Sequence, residues 1–128
     1  MEAHLTHLFL QVGDLEKARW FWTTAIGLRI VDDQGGYVAV GGNGGFAIGL
    51  EQSETPDQPS GCPEISVRVE DAEIAAARLT SLGLALDGPP ESMPWGAVHV
   101  WLRDPDGRRM SLYSTASPNA AASSLGQA

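Results

Sequence analysis

The chain has 128 residues, which is the length of one compact domain. Hydrophobic residues make up 43% and charged residues 19%, as in globular proteins, and no run approaches the roughly 20 apolar residues that a membrane-spanning helix needs. The net charge of −8 disfavours binding to nucleic-acid phosphates and would suit a cationic ligand. We therefore expect neither a membrane nor a nucleic acid as the partner.

The first half of the chain predicts a strand, a helix and three further strands. Asp14 is a good helix N-cap, and Gly27 suits the left-handed position that ends a helix. Between them, apolar residues recur at helical spacing at Leu15, Ala18, Trp22 and Ala25. Alternating residues and glycine-rich turns predict strands over Leu5–Val12, Leu28–Val31, Tyr37–Val40 and Phe46–Glu51.

The second half repeats this order after a polar, proline-containing linker at 52–61. Asp71 and Gly83 bound a helix whose apolar face carries Ala72, Ala75, Ala76 and Leu79. The segment Asp87–Pro94 is rich in strand breakers, and Asp104–Gly107 predicts a tight turn. Strands are expected over Ile65–Val69, Leu84–Leu86, Ala97–Arg103 and Arg109–Ser114, and residues 116–128 are expected to be a disordered tail.

The two halves also align residue by residue, because Val12 meets Val69, Asp14 meets Asp71, and Gly27-Leu28 meets Gly83-Leu84. Such a repeat predicts two modules, 4–51 and 62–115, within a single domain over 1–115. The fold class is α+β, with two tandem βαβββ modules forming an open, curled, eight-stranded, barrel-like sheet that contains a cleft.

The compartment and the oligomeric state follow from composition and size. Cys62 is the only cysteine, so no disulfide can form within the chain, which fits a reducing compartment. The N-terminal residues 1–7 lack the basic start and apolar run of a signal peptide. We expect a cytoplasmic protein that forms a two-fold homodimer.

The chain resembles the vicinal oxygen chelate superfamily, which includes glyoxalase I, extradiol dioxygenases and bleomycin-resistance proteins. The matching stretches are residues 7–18, Phe21-Trp22, Gly27-Leu28, 65–71 and, above all, the closing hairpin at 104–113. The resemblance covers roughly residues 4–115 and implies the curled sheet of this fold.

The resemblance also implies where a divalent metal would be held, by one side chain from each of four strands. These positions fall on His7, Gly49, Glu64 and Ser111. A glycine and a weak hydroxyl cannot complete such a ligand set, so no cofactor is expected. An alternative is a displaced metal site formed by His7, Glu51, Glu64 and His99.

Strand alternation predicts a ligand-binding face of polar, aromatic and charged residues. Trp95 and Trp101 are the preferred contacts for a flat organic ligand. The expected ligand-binding set is His7, Phe9, Gly49, Glu51, Glu64, Arg68, Trp95, His99, Trp101, Arg109, Ser111 and Tyr113.

Two functions remain open from the sequence. The favoured hypothesis is a metal-free binding protein, similar to the bleomycin-resistance branch, that sequesters a cationic or aromatic antibiotic or metabolite without altering it. The alternative is an enzyme of the superfamily, a lyase, isomerase or dioxygenase, that uses either the displaced metal site or metal-free acid–base catalysis. In the metal-free form, Glu64 or His7 would take the proton.

Overall fold

A computed structural model describes residues 2–42 and 44–115 of the chain. Its strands form two four-stranded sheets. By contacts, residues 2–62 with 104–107 form one compact unit, and residues 63–103 with 108–115 form a second. No helix in the described parts of the chain is long and apolar enough to span a membrane. The expected tail at 116–128 lies outside the described residues.

The observed strands of the first sheet closely follow the expected ones: β1 is His7–Val12, β2 Arg29–Asp33, β3 Tyr37–Gly41 and β4 Ala47–Gln52. Their order in the sheet is β1-β4-β3-β2. Strands β1 and β4 are parallel, whereas β3 is antiparallel to both β4 and β2.

The strands of the second sheet are β5 at Ile65–Arg68, β6 at Glu91–Ser92, β7 at Ala97–Arg103 and β8 at Arg109–Thr115. They repeat the topology of the first sheet with the order β5-β8-β7-β6. Strands β5 and β8 are parallel, and β7 is antiparallel to β8 and β6. The predicted strand–helix–strand–strand–strand order is therefore confirmed in both modules.

The position of β6 is where the sequence prediction was wrong. The expected strand Leu84–Leu86 makes only one isolated bridge, between Leu86 and Leu102. The two-residue β6 lies instead inside the segment Asp87–Pro94, where Glu91 pairs with His99. A strand this short at a sheet edge can form between prolines because it makes few of the inter-strand hydrogen bonds that proline would interrupt.

Helix α1 spans Leu15–Trp20 and continues as a π-helix over Phe21–Ala25. Asp14 Oδ1 accepts the Lys17 N–H at 3.1 Å, as expected of an N-cap. The wide turn, in which Ile26 N donates to Phe21 O at 2.9 Å, was not expected. Its result is that two consecutive large side chains, Phe21 and Trp22, are both buried and pack edge to face.

Helix α2 spans Ala72–Ser81, and Asp71 Oδ1 accepts the N–H groups of Glu73 and Ile74. It packs against β7 and β8 of its own sheet. The inner residues of both units form the expected apolar cores, and Trp22 is core, as predicted. Buried residues in the second unit include Ala72, Ala76, Leu79, Val100, Leu102, Met110 and Leu112.

The Asp104–Gly107 turn forms as predicted. Gly107 has φ 87° and donates its N–H to Asp104 O at 2.9 Å. The turn belongs by contacts to the first unit, where Asp106 Oδ1 accepts the Gly13 N–H at 3.1 Å.

Candidate functional site

On the first sheet, the space above Gly49 is filled by aromatic rings. A Cβ atom at Gly49 would lie 2.7 Å from Phe9 Cδ1 and 2.7 Å from Tyr37 Oη. Gly49 belongs to the ligand-binding set expected from the sequence, but the two rings themselves occupy the space above it. Tyr37 was not among the predicted site residues, although its pairing with Glu51 puts it on the same face.

The remaining predicted residues of this sheet are His7, Phe9 and Glu51. His7 stacks on Phe9 with a centroid distance of 5.6 Å, and its Nδ1 lies 3.0 Å from the Thr6 hydroxyl. Glu51 accepts a hydrogen bond from Gln11 Nε2 at 2.9 Å. This face therefore carries rings and polar groups that already contact one another.

On the second sheet, three rings form a cluster that we call the aromatic row: Tyr113, His99 and Trp101. His99 stacks on Tyr113 at 5.2 Å and on Trp101 at 5.3 Å, with interplanar angles of 15° and 22°. The pairing of His99 with Tyr113 and the alternation along β7 put all three on one face. All three residues are partly exposed.

Trp95 meets this row from the turn before β7. Its indole lies edge-on to His99 at 6.2 Å and is 67% exposed. Gly96 has φ 90° and donates its N–H to Met93 O, which closes the turn that carries Trp95. His99 Nδ1 is buried and has no hydrogen-bond partner among the described residues.

Two charged side chains lie at the other end of the row. The Arg109 guanidinium carbon is 5.1 Å from the centroid of the Trp101 ring. Glu64 Oε1 is 3.5 Å from Arg109 Nη1, and Glu64 Oε2 accepts the Trp101 indole N–H at 3.4 Å. An exposed ion pair or cation–π contact contributes only about 0–1 kcal/mol, so this arrangement can open readily.

The other two predicted residues of this sheet are differently placed. Ser111 is fully buried, and its hydroxyl lies 2.7 Å from the Ser66 hydroxyl. Arg68 is exposed and donates to the Thr115 hydroxyl at 3.3 Å.

These donors do not fit a divalent metal at the four positions that the resemblance implies. Gly49 offers no donor and its space is filled, while the Ser111 hydroxyl already contacts Ser66. Within residues 2–42 and 44–115, no group of three or more His, Cys, Asp or Glu side chains that could hold a metal ion is found.

The sequence matches the family model for the Glyoxalase/Bleomycin resistance protein/Dioxygenase superfamily over residues 4–112. No curated protein matches it. Two similar solved structures have 28% identity to this chain. One is a member of the same superfamily from Sphaerobacter thermophilus DSM 20745, with a TM-score of 0.68 over 88% of this chain and 98% of that one. The other is TnmS3, an antibiotic binding protein from Streptomyces sp. CB03234, with a TM-score of 0.70 over 90% and 98%.

A lactoylglutathione lyase from Agrobacterium tumefaciens is also similar, at 20% identity and a TM-score of 0.67, covering 88% of this chain and 94% of that one. At this identity the likeness concerns the fold alone. The fold is thus shared by a binding protein and an enzyme, and the side chains of the site have to distinguish the two functions.

Proposed function

This chain belongs to the Glyoxalase/Bleomycin resistance protein/Dioxygenase superfamily, and we propose that it binds a planar organic small molecule on the aromatic row of its second sheet and releases it unchanged. The observation that carries the proposal is the row itself, in which His99 stacks on both Trp101 and Tyr113 while exposed Trp95 stands beside it. Stacked, partly exposed aromatic side chains favour flat ligands.

The polar groups beside the row support binding rather than proton transfer. Both carboxylate oxygens of Glu64 already have partners, since Oε1 lies 3.5 Å from Arg109 Nη1 and Oε2 accepts the Trp101 indole N–H at 3.4 Å. His7, the other candidate base, is exposed and lies beside Thr6. The 28% identity to an antibiotic binding protein supports a sequestration role, with an antibiotic or a related metabolite as the ligand.

The proposal includes a two-fold homodimer in the cytoplasm. The lone Cys62 and the short chain support it. Trp20 on α1, which is 41% exposed, is the side chain we assign to the subunit interface. Light scattering on the purified chain should give twice the monomer mass, and Trp20→Glu should give the monomer.

The test of the function is a titration with proflavine, a planar aromatic cation, followed by recovery of the compound. We expect saturable binding measured by calorimetry and a recovered compound whose mass and chromatographic retention are unchanged. With Glu64→Gln and His7→Ala the recovered compound should likewise be chemically unchanged, because no chemistry depends on either side chain. Conversion of a bound compound by the wild type but not by these variants would establish the enzymatic alternative.

A further inference from the structure

The Trp101 indole already holds a cation on its face. The Arg109 guanidinium lies over the ring at 5.1 Å, and the Glu64 carboxylate supplies the neighbouring negative charge. The indole N–H also donates to Glu64 at 3.4 Å, so the carboxylate lies at the edge of the same ring. An aromatic face with a carboxylate at its edge attracts a planar cation.

Arg109 also limits access to this ring. Along β7, His99 precedes Trp101, whereas Arg109 pairs with Arg103, which follows it. His99 and Arg109 therefore approach the indole from opposite directions along the strand. A ligand that stacks on Trp101 must take the place of one of them, and His99 is the more firmly packed because it contacts three rings.

Arg109 is the more easily displaced of the two. Its side chain is 51% exposed, and its 3.5 Å separation from Glu64 is longer than a strong charge-assisted hydrogen bond. Nothing in this arrangement resembles the two parallel hydrogen bonds of a bidentate arginine–carboxylate pair.

We propose that Arg109 occupies the place of a planar cationic group of the ligand, such as an amidinium, a guanidinium or a protonated nitrogen heterocycle, and that the ligand displaces it to bind between Trp101 and Glu64. The inference rests on the proposed function and names its ligand class. An anion is excluded from this position because it would meet both the negative face of the indole and the Glu64 carboxylate.

The test uses three probes of nearly the same shape, benzamidinium, benzamide and benzoate, whose charges differ. Binding is followed by the chemical shift of the Trp101 indole N–H, assigned by its loss in Trp101→Phe. Arg109→Thr removes the displaced cation with a residue suited to a strand. Arg103→Thr is the matched control, since Arg103 is the cross-strand neighbour of Arg109, is equally charged and contacts Asp87.

We expect Arg109→Thr to tighten benzamidinium binding about two- to fivefold, the size of an exposed cation–π contact. Arg103→Thr should change it less, and the affinity for benzamide should change little in either variant. Adding Glu64→Gln to Arg109→Thr should remove the gain. The titrations are repeated at high salt, which screens the long-range effect of removing a positive charge. A gain in affinity that persists at high salt is then due to the local contact.

Three results would overturn the inference. One is an unchanged or weaker benzamidinium affinity in Arg109→Thr, and another is an equal gain in Arg103→Thr. The third is benzoate binding that the wild type shows and Arg109→Thr loses, because Arg109 would then be an anion anchor. Benzamide binding that is independent of Arg109 would leave the proposed function standing. Failure of all three probes to shift Trp101 in any variant would count against both proposals.

Discussion

Residues that pair directly across three neighbouring strands form a cross-strand row. The equivalent cross-strand row of each sheet contains one large aromatic ring, but on a different strand. In the first sheet the row across β1, β4 and β3 is Phe9, Gly49 and Ala39. The equivalent row across β5, β8 and β7 of the second sheet is Ser66, Ser111 and Trp101. One backbone pattern therefore supports two faces whose bulky side chains stand at opposite ends of the row.

The difference decides what each face can offer. In the first sheet, Phe9 and Tyr37 lean into the space that Gly49 leaves, so that space is filled by the chain's own rings, although Phe9 itself stays 58% exposed. In the second sheet, the small residue is Ser111, whose hydroxyl is buried against Ser66, and Trp101 stands beside charged groups. Repetition of the fold thus leaves each module free to take a separate role.

The largest expected effect comes from replacing one aromatic ring on each sheet. Trp101→Leu should weaken proflavine binding about 30-fold, the scale of a central aromatic contact, because the stacking surface and the Glu64 contact are both lost. Phe9→Leu, the ring substitution in the equivalent row, should change the affinity less than threefold. Calorimetry measures both, and an equal loss in the two variants would mean that the faces are not distinct.

The contact between the Ser66 and Ser111 hydroxyls predicts two alanine substitutions that lower the unfolding free energy by unequal amounts. Ser66→Ala leaves the buried Ser111 hydroxyl without its partner and should cost about 1–2 kcal/mol of unfolding free energy. Ser111→Ala leaves Ser66, which is exposed and can bond to water, so it should cost about 0.5 kcal/mol. Urea denaturation compares them, and a larger cost for Ser111→Ala would contradict this account.

The filled space on the first sheet predicts a smaller effect. Gly49→Ala should cost about 1 kcal/mol, at the low end of overpacking, because the rings of Phe9 and Tyr37 must move but can turn toward solvent. Gly36→Ala is the control, since no atom lies within 4 Å of the added carbon. Thermal unfolding of both variants checks the difference, and equal midpoints would show that the rings do not fill this space.

The smallest expected effect concerns the ion pair between Asp33 of the edge strand β2 and Arg19 of helix α1. The Gly35 N–H and the Arg19 guanidinium hold the pKa of the Asp33 carboxyl below its ordinary value. Because the folded pKa is lower than that of the unfolded chain, the stabilisation is present above the ordinary carboxyl pKa and is lost as pH falls through the lowered one.

Asp33→Asn should therefore lower the unfolding midpoint slightly at pH 7, and the difference from the wild type should vanish in strong acid. The second sheet carries a similar exposed pair, in which Arg103 of β7 lies 3.1 Å from Asp87. Asp87→Asn serves as the comparison at both pH values. If the difference in unfolding midpoint between Asp33→Asn and the wild type grew on acidification, the expected direction of the pH dependence would be wrong.

The fold could be read from the sequence because its signals are local. Asp14 and Asp71 cap the helices, Gly27 and Gly83 end them, and the Asp104–Gly107 turn connects two strands. The edge strand β6 could not be read, because its existence depends on pairing with β7 and not on its own residues. The π-helix at Phe21–Ala25 has no comparable sequence signal.

The candidate site was predicted less completely. Alternation correctly grouped His99, Trp101 and Tyr113 on one face. It could not show that Ser111 is buried or that Gly49 lies under rings, because both depend on how neighbouring side chains turn. Tyr37 was not predicted, because its place on this face follows from the pairing of β3 with β4 and alternation within β3 alone does not show that register.

The chain's four tryptophans allow the most direct test of the claim that the second sheet carries the binding face. The measurement is a titration of ¹⁵N-labelled protein with proflavine, followed by the four indole N–H signals. The account predicts that Trp95 and Trp101 shift with one common dissociation constant while buried Trp22 stays unchanged. Saturable shifts at Trp20 alone, with Trp95 and Trp101 unmoved, would contradict it.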